Sequence, residues 1–279
     1  MEATAQPVDI QVIAAELTST QWIWIVITFM ALAIWEQLAP LARGKRPRLE
    51  RWPANLGLGL VNGLLLTAIP VGSIVAAQWA SRHGFGFMNI LDVPIEIAVV
   101  LGVLFRSFIS WGTHVAMHQV PWLWRMHRVH HSDEFFDIST TTRLHVFDLV
   151  AGLATSAVGT VLFGIPVLAI VICDLADAAF GLFHHANIRL PRWIERPLRW
   201  VIITPELHRI HHSTWRPETD SNYGAQFSIW DRLFGTYREE FADPDQALGL
   251  LEWRGAEARS LTRLLVNPFE QTPRSKTKP

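Results

Sequence analysis

Long apolar runs separated by short polar breaks dominate the first two thirds of this chain. Runs of spanning length occupy 21–40, 55–80 and 94–117, each near the roughly 20 residues that a bilayer core requires. A fourth run, 146–183, is longer and is broken by Phe163-Gly164-Ile165-Pro166. A Gly/Pro pair punctuates local structure, so this run predicts two short antiparallel spans or a re-entrant hairpin. Beyond 186 the chain turns polar, and Pro191, Pro197, Pro205 and Pro217 cut it into short pieces. The pattern predicts an all-α, polytopic membrane helix bundle of about four or five spans or re-entrant segments, with a helical cytoplasmic cap. The tail from Pro268 onward reads as disordered. Residues 1–94 form an N-terminal transmembrane region and 241–279 a C-terminal cytoplasmic tail.

Charge orients the bundle. Arg43, Lys45, Arg46, Arg48 and Arg51 crowd the first loop, and the positive-inside rule places that loop in the cytoplasm. Span one then runs inward, span two outward, the 81–92 loop lies outside, and span three returns. The N-terminus carries Glu2, Asp9 and Glu16 where a cleaved signal peptide has a basic region, so the first run is expected to be a retained span. Only 18% of residues are charged, half are apolar, and 13 are Trp. Trp favours membrane interfaces. A net charge of −1 gives no reason to invoke nucleic acid. The single cysteine, Cys173, excludes an intrachain disulfide and a Cys-rich metal site and reads as a small core residue.

Eight of the twelve histidines fall in three tight clusters: His114/His118, His127/His130/His131 and His208/His211/His212. The last two are the same H-R-[VI]-H-H phrase. Positions i, i+3 and i+4 share one helix face, so each phrase presents three imidazoles in one direction. With the orientation above, every cluster lands at the cytoplasmic end. Neutral imidazole suits Fe, Zn, Cu and Ni. The His114/His118 pair has the spacing of an H-E-x-x-H zinc site, but Val115 stands where the catalytic glutamate would be. A single zinc takes three or four protein ligands. The clusters offer eight, which fits two metal ions better. His185 and His145 lie level with the clusters and are further candidate ligands; His184 is expected to point away, and His83 has no assigned role.

Other polar residues stand out against the apolar background. Arg106 lies mid-span, with Asp174 and Asp177 as possible partners, snorkelling being the alternative. Asp133, Glu134 and Asp137 follow the second cluster and either orient imidazoles or are solvated. Asn187 either holds a water on the metal or caps a turn, and Asn222 is a further candidate for a group that supports the ligands.

The order of the histidines resembles the fatty acid hydroxylase / sterol desaturase superfamily of integral-membrane di-iron enzymes, whose pattern is H-x(3–4)-H, H-x-x-H-H, a further histidine region, and H-x-x-H-H. The similarity extends to Ser139-Thr140-Thr141-Thr142-Arg143-Leu144-His145, to His185-Ala186-Asn187-Ile188, and to Asn222-Tyr223-Gly224 leading into Trp230-Asp231-Arg232-Leu233-Phe234-Gly235-Thr236-Tyr237. It covers roughly 95–240, which the resemblance marks as the catalytic domain. Better-known members carry a histidine pair in the third region. Here Gly181 stands four before His185, so either His145 supplies the missing ligand or the site has one fewer.

The resemblance implies two iron ions, with zinc a substitute on overexpression. It implies O2-dependent hydroxylation of an unactivated C–H bond in a membrane lipid, or desaturation instead. Two electrons per turnover would come from a separate donor of ferredoxin or cytochrome type. The expected ligands are His114, His118, His127, His130, His131, His145, His185, His208, His211 and His212. A bacterial inner membrane fits this reading. The rivals are a zinc-dependent membrane hydrolase and a non-catalytic metal-binding membrane protein.

Overall fold

A computed structural model describes residues 10–43, 48–68, 72–243 and 245–271, with no side-chain account of 10–18 or 67–68. The N-terminal acidic residues Glu2 and Asp9, the Glu16 side chain, Lys45, Arg46 and residues 272–279 lie outside that description.

The described chain is helical, with only isolated β-bridges. The bundle comprises α1 (Ile10–Leu38), α2 (Arg48–Ala68), α3 (Ser73–Arg82), α4 (Phe87–Ile90), α5 (Ile95–Gln119), α6 (Pro121–His131), α7 (Val146–Phe163) and α8 (Val167–His185). Shorter helices follow: α9 (Arg192–Leu198), α10 (Pro205–His211), α11 (Arg216–Thr219), α12 (Ile229–Leu233) and α13 (Leu261–Val266). Among the described residues, four segments are long and apolar enough to cross a membrane: Ser19–Leu38 of α1, then α5, α7 and α8.

The 146–183 run is two helices, as its Gly-Ile-Pro break predicts. Gly164 ends α7 at φ 69°, a left-handed conformation that glycine adopts without a Cβ penalty. Gly86 packs against this turn so closely that an added Cβ would lie 2.4 Å from the Gly164 nitrogen. The loop between α3 and α5 therefore sits at the end of the bundle opposite the histidines.

The expected span at 55–80 is not one helix. Arg51 reaches Asp133, and Asn62 Nδ2 donates to the Leu144 carbonyl at 2.7 Å. Both contacts lie at the histidine end, so α2 runs along that end instead of crossing. Ser73 Oγ then meets Ser156 Oγ at 2.6 Å, midway along α7, and α3 packs beside that helix. Buried polar groups on α2 dictate this: Arg51 and Asn55 hydrogen-bond cap residues, a cost the bilayer core would not offset.

The basic loop is only partly a solvated charge cluster. Arg51 is buried between Asp133 and Asp137, at 2.6 and 2.9 Å, and Arg48 pairs with Glu36 at 3.2 Å. Glu36 Oε1 also accepts from the Ile138 and Asn187 backbone nitrogens, tying α1 to the end of α8. The C-terminal segment is likewise more than a tail. Arg128 donates to Asn267 Oδ1 at 2.8 Å and to the Glu270 carbonyl, and Pro268 is buried. Chain 245–271 is thus strapped across the cap. Mid-span, Arg106 pairs with Asp177 at 3.0 Å and lies 4.0 Å from Asp174, so it does not need to snorkel. Cys173 is buried and free. His83 stacks on Trp79.

Candidate metal centre

Four helices converge at one end of the bundle. α5 contributes His114 and His118 one turn apart. α6 and α10 contribute the two H-x-x-H-H phrases, and α8 ends at His185. The α6 start is fixed by Pro121 at its first turn, and α10 begins with Pro205 behind a Thr204 cap. Proline in the first turn is pre-organised for a helix, so both phrases keep helical register in short segments.

The imidazoles sort into two groups. His114, His118, His127, His131 and His211 form one; His130, His185, His208 and His212 form the other, with the potential ligand atoms in each group within 4.8 Å of one another. The twin phrases split in opposite senses. From α6 the i, i+4 pair His127/His131 enters the first group and His130 the second. From α10 the pair His208/His212 enters the second group and His211 the first. His131 and His212 stack across the boundary, their ring centroids 4.5 Å apart.

The outer ring nitrogens are held by acceptors. In the first group, Nδ1 of His114 faces the Tyr223 carbonyl at 2.7 Å and Nδ1 of His211 the Ser221 carbonyl at 2.7 Å. Nδ1 of His118 faces Asp220 at 3.2 Å, and Nδ1 of His127 faces Asp148 at 3.0 Å. In the second, Nδ1 of His185 faces the Gly181 carbonyl at 2.7 Å. A proton on Nδ1 donated outward leaves the Nε2 lone pair aimed inward, the tautomer a metal requires.

His118 and His211 Nε2 and both nitrogens of His131 and His212 have no hydrogen-bond partner among the described residues. Nε2 of His114 and His127 lie 3.0 Å apart, and Nε2 of His185 lies 3.0 Å from those of His130 and His208. Where both Nδ1 atoms face acceptors, as in His114 and His127, the facing Nε2 lone pairs repel at that distance unless a cation lies between them. Metal–nitrogen bonds of roughly 2.1 Å place two nitrogens ~3.0 Å apart at a right angle and ~3.4 Å apart in a tetrahedron. The two donor sets therefore fit two metal ions, one for each group. Burial, then repulsion among neighbouring imidazoles, holds His130, His131, His208, His211 and His212 well below the ordinary histidine value. They stay neutral, as ligands must.

Nine of the ten expected ligands are thus brought together; His145 is not. It caps the N-terminus of α7, its Nδ1 accepting from the Phe147 nitrogen at 3.3 Å and its Nε2 facing the Leu265 carbonyl at 3.2 Å. Both nitrogens are engaged locally, and the second group has four histidines. His184 does not point away: its ring packs on His208 with centroids 4.1 Å apart, though it joins neither group.

The expected supporting groups need correction. Asp133 bonds Arg51, Asn55 and Thr140, and Arg51 holds its carboxyl well below the usual range against the cost of burial. Asn187 bonds the backbone of Ala42. Neither hydrogen-bonds a histidine. Asn222, at φ 51°, bonds the Leu207 and Arg238 backbones and so fixes the loop whose flanking carbonyls hold His211 and His114. The carboxylates that do touch imidazoles, Asp148 and Asp220, were not singled out. Asp148 carried a usable signal, an acid inside an apolar run; Asp220 carried none.

Residues 99–236 match the fatty acid hydroxylase family model. The chain is 30% identical over 209 residues to ornithine lipid hydroxylase OlsE of Rhizobium tropici, covering 75% of this chain and 61% of that protein. It is 31% identical to the alkylglycerol monooxygenases of Caenorhabditis elegans and Homo sapiens, over 58% and 50% of this chain and 32% and 30% of theirs. It thus spans less than two thirds of each relative. No solved structure matches it. Over residues 99–236, which carry all nine grouped histidines, the chain belongs to the fatty acid hydroxylase family.

Proposed function

We propose that this protein is an O2-dependent membrane oxygenase that hydroxylates an unactivated C–H bond of a lipid. The observation carrying this reading is the double histidine nest: nine imidazoles in groups of five and four, eight of them buried and His114 partly so, with inner nitrogens as close as 3.0 Å. Five imidazoles in one group exceed the four ligands usual for zinc, which favours iron over a zinc hydrolase. Two irons held there supply the redox chemistry that couples O2 reduction to C–H oxidation, with two electrons from a separate ferredoxin- or cytochrome-type donor.

The chain's own residues prepare that chemistry. Asp148, Asp220 and the carbonyls of Tyr223, Ser221 and Gly181 fix the tautomer and tilt of five imidazoles. The 245–271 strap and the Arg51–Asp133 network close the cap and exclude water. Apolar spans on the other side admit a lipid tail. Hydroxylation is preferred to desaturation because the relatives are named hydroxylases and monooxygenases. We place the histidine end at the cytoplasmic face of a bacterial inner membrane, and residues 95–240 as the catalytic domain.

The test is oxidation of lipid extracts by purified protein with a reductase–ferredoxin pair under 18O2, read by mass spectrometry. A product heavier by one labelled oxygen is expected. An unlabelled hydrolysis product, or no O2- and reductant-dependent product across aminolipid, ether-lipid, fatty-acid and sterol substrates, contradicts it.

A further inference from the structure

The oxidation chemistry leaves the outer surface of residues 189–201 unused. Arg189, Arg192 and Arg196 are exposed there, and none forms an ion pair among the described residues. Glu195, the sole acid in 186–203, is buried against Arg199 at 2.9 Å. Between the arginines lie apolar side chains facing outward: Trp193 is 77% exposed, Trp200 66% and Val201 57%.

The level of this surface is set by its neighbours. Arg189 donates its backbone nitrogen to the Ala39 carbonyl at 2.9 Å and Nη2 to the Leu41 carbonyl at 2.8 Å. It therefore sits where the outward apolar face of α1 stops, just past Leu38, which is 78% exposed. On the other side, the Ser228 nitrogen bonds the Val201 carbonyl at 3.0 Å. That joins the segment to α12, where Ile229, Leu233 and the following Phe234 are also exposed. Phe234 stacks on Trp111 of α5 at 4.6 Å. The apolar faces of α1 and α5 thus end in one rim of tryptophan and aliphatic side chains, and the arginines stand beyond it.

We infer that this rim seats anionic phospholipid headgroups of the leaflet on the histidine side, with Arg189, Arg192 and Arg196 as the recognition cations. Tryptophan belongs at the headgroup level, and a basic face flanked by Trp is the pattern of an interfacial helix. At that depth the available anion is a lipid phosphate. A soluble acidic protein would have to displace headgroups to cover Trp193 and Trp200. The inference stands whether or not the oxidation chemistry is as proposed.

The test compares lipid capture by the full-length protein in detergent, by native mass spectrometry with equal phosphatidylglycerol and phosphatidylcholine. Hydrogen exchange of 189–201 is followed in nanodiscs with and without phosphatidylglycerol. R192Q/R196Q is the chosen variant, since neither side chain makes a hydrogen bond among the described residues; R189Q/R192Q/R196Q extends it. Wild type is expected to prefer phosphatidylglycerol and to exchange more slowly beside it. The double variant, with unchanged thermal stability, should lose roughly 10- to 100-fold of that preference. Equal capture of both lipids by wild type overturns the inference. So does slowed exchange with polyglutamate but not with phosphatidylglycerol, which would assign the surface to an acidic protein.

Discussion

Replacing Arg51 by Met probes how the N-terminal helices support the cap. The guanidinium is buried and makes three hydrogen bonds: Nε and Nη2 to Asp133 at 2.8 and 2.6 Å, and Nη1 to Asp137 at 2.9 Å. Both carboxylates are essentially inaccessible. The variant keeps the volume and removes the charge, leaving two buried anions. Breaking one side of a buried ion network costs about 3–5 kcal/mol. The lower half of that range is expected here. Asp133 keeps Asn55 and Thr140, and Asp137 keeps Ser139 and Trp52. Thermal unfolding in detergent should then show Tm falling on the order of 10 °C. Asp133→Asn with Asp137→Asn in the same background should recover part of the loss, since the stranded charges are gone. A shift within about 1 kcal/mol of wild type, or no recovery, would refute the argument.

Asp148→Asn keeps a hydrogen-bond acceptor for His127 but removes the carboxylate; metal retention against a chelator should weaken roughly 10- to 100-fold, and unchanged retention would show that Asp148 does not tune the site. Gly86→Ala places a methyl against the Gly164 backbone and should destabilise the protein by about 1–3 kcal/mol, measured by thermal unfolding, whereas Gly63→Ala, with open space around it, should not. Metal-free protein should lose stability as pH falls. His130, His131, His208, His211 and His212 have folded values below the ordinary ~6.5, so below that pH the unfolded chain binds protons that the folded chain refuses. Their contribution is complete above about pH 7 and declines through the acidic range; a flat denaturation midpoint between pH 7.5 and 5.5 in the apo protein would contradict this.

The histidine centre was legible because helical spacing is a local rule. Three i, i+3, i+4 patterns put the imidazoles on common faces whatever the rest of the chain does. The partition into five and four was not legible, because opposite splitting of the twin phrases depends on how α6 and α10 face each other. His145 misled for the same reason: nearness in sequence to a membrane boundary does not distinguish a ligand from a helix cap. Hydropathy found α1, α5, α7 and α8. It read 55–80 as one span because a window average cannot see that Arg51, Asn55 and Asn62 need partners at one end of the bundle. Asp148 was readable as an acid in an apolar run. The roles of the Ser221 and Tyr223 carbonyls were not, since any residue supplies a carbonyl and only tertiary placement aims it.

Elemental analysis of purified protein beside His211→Ala, His130→Ala and the double variant tests the central claim most directly. The two histidine groups predict about two irons per chain in wild type. His211→Ala should lose the ion of the five-histidine group, His130→Ala that of the four-histidine group, and the double variant both. One zinc per chain, or folded wild-type protein that takes up no iron on reconstitution, would contradict the account.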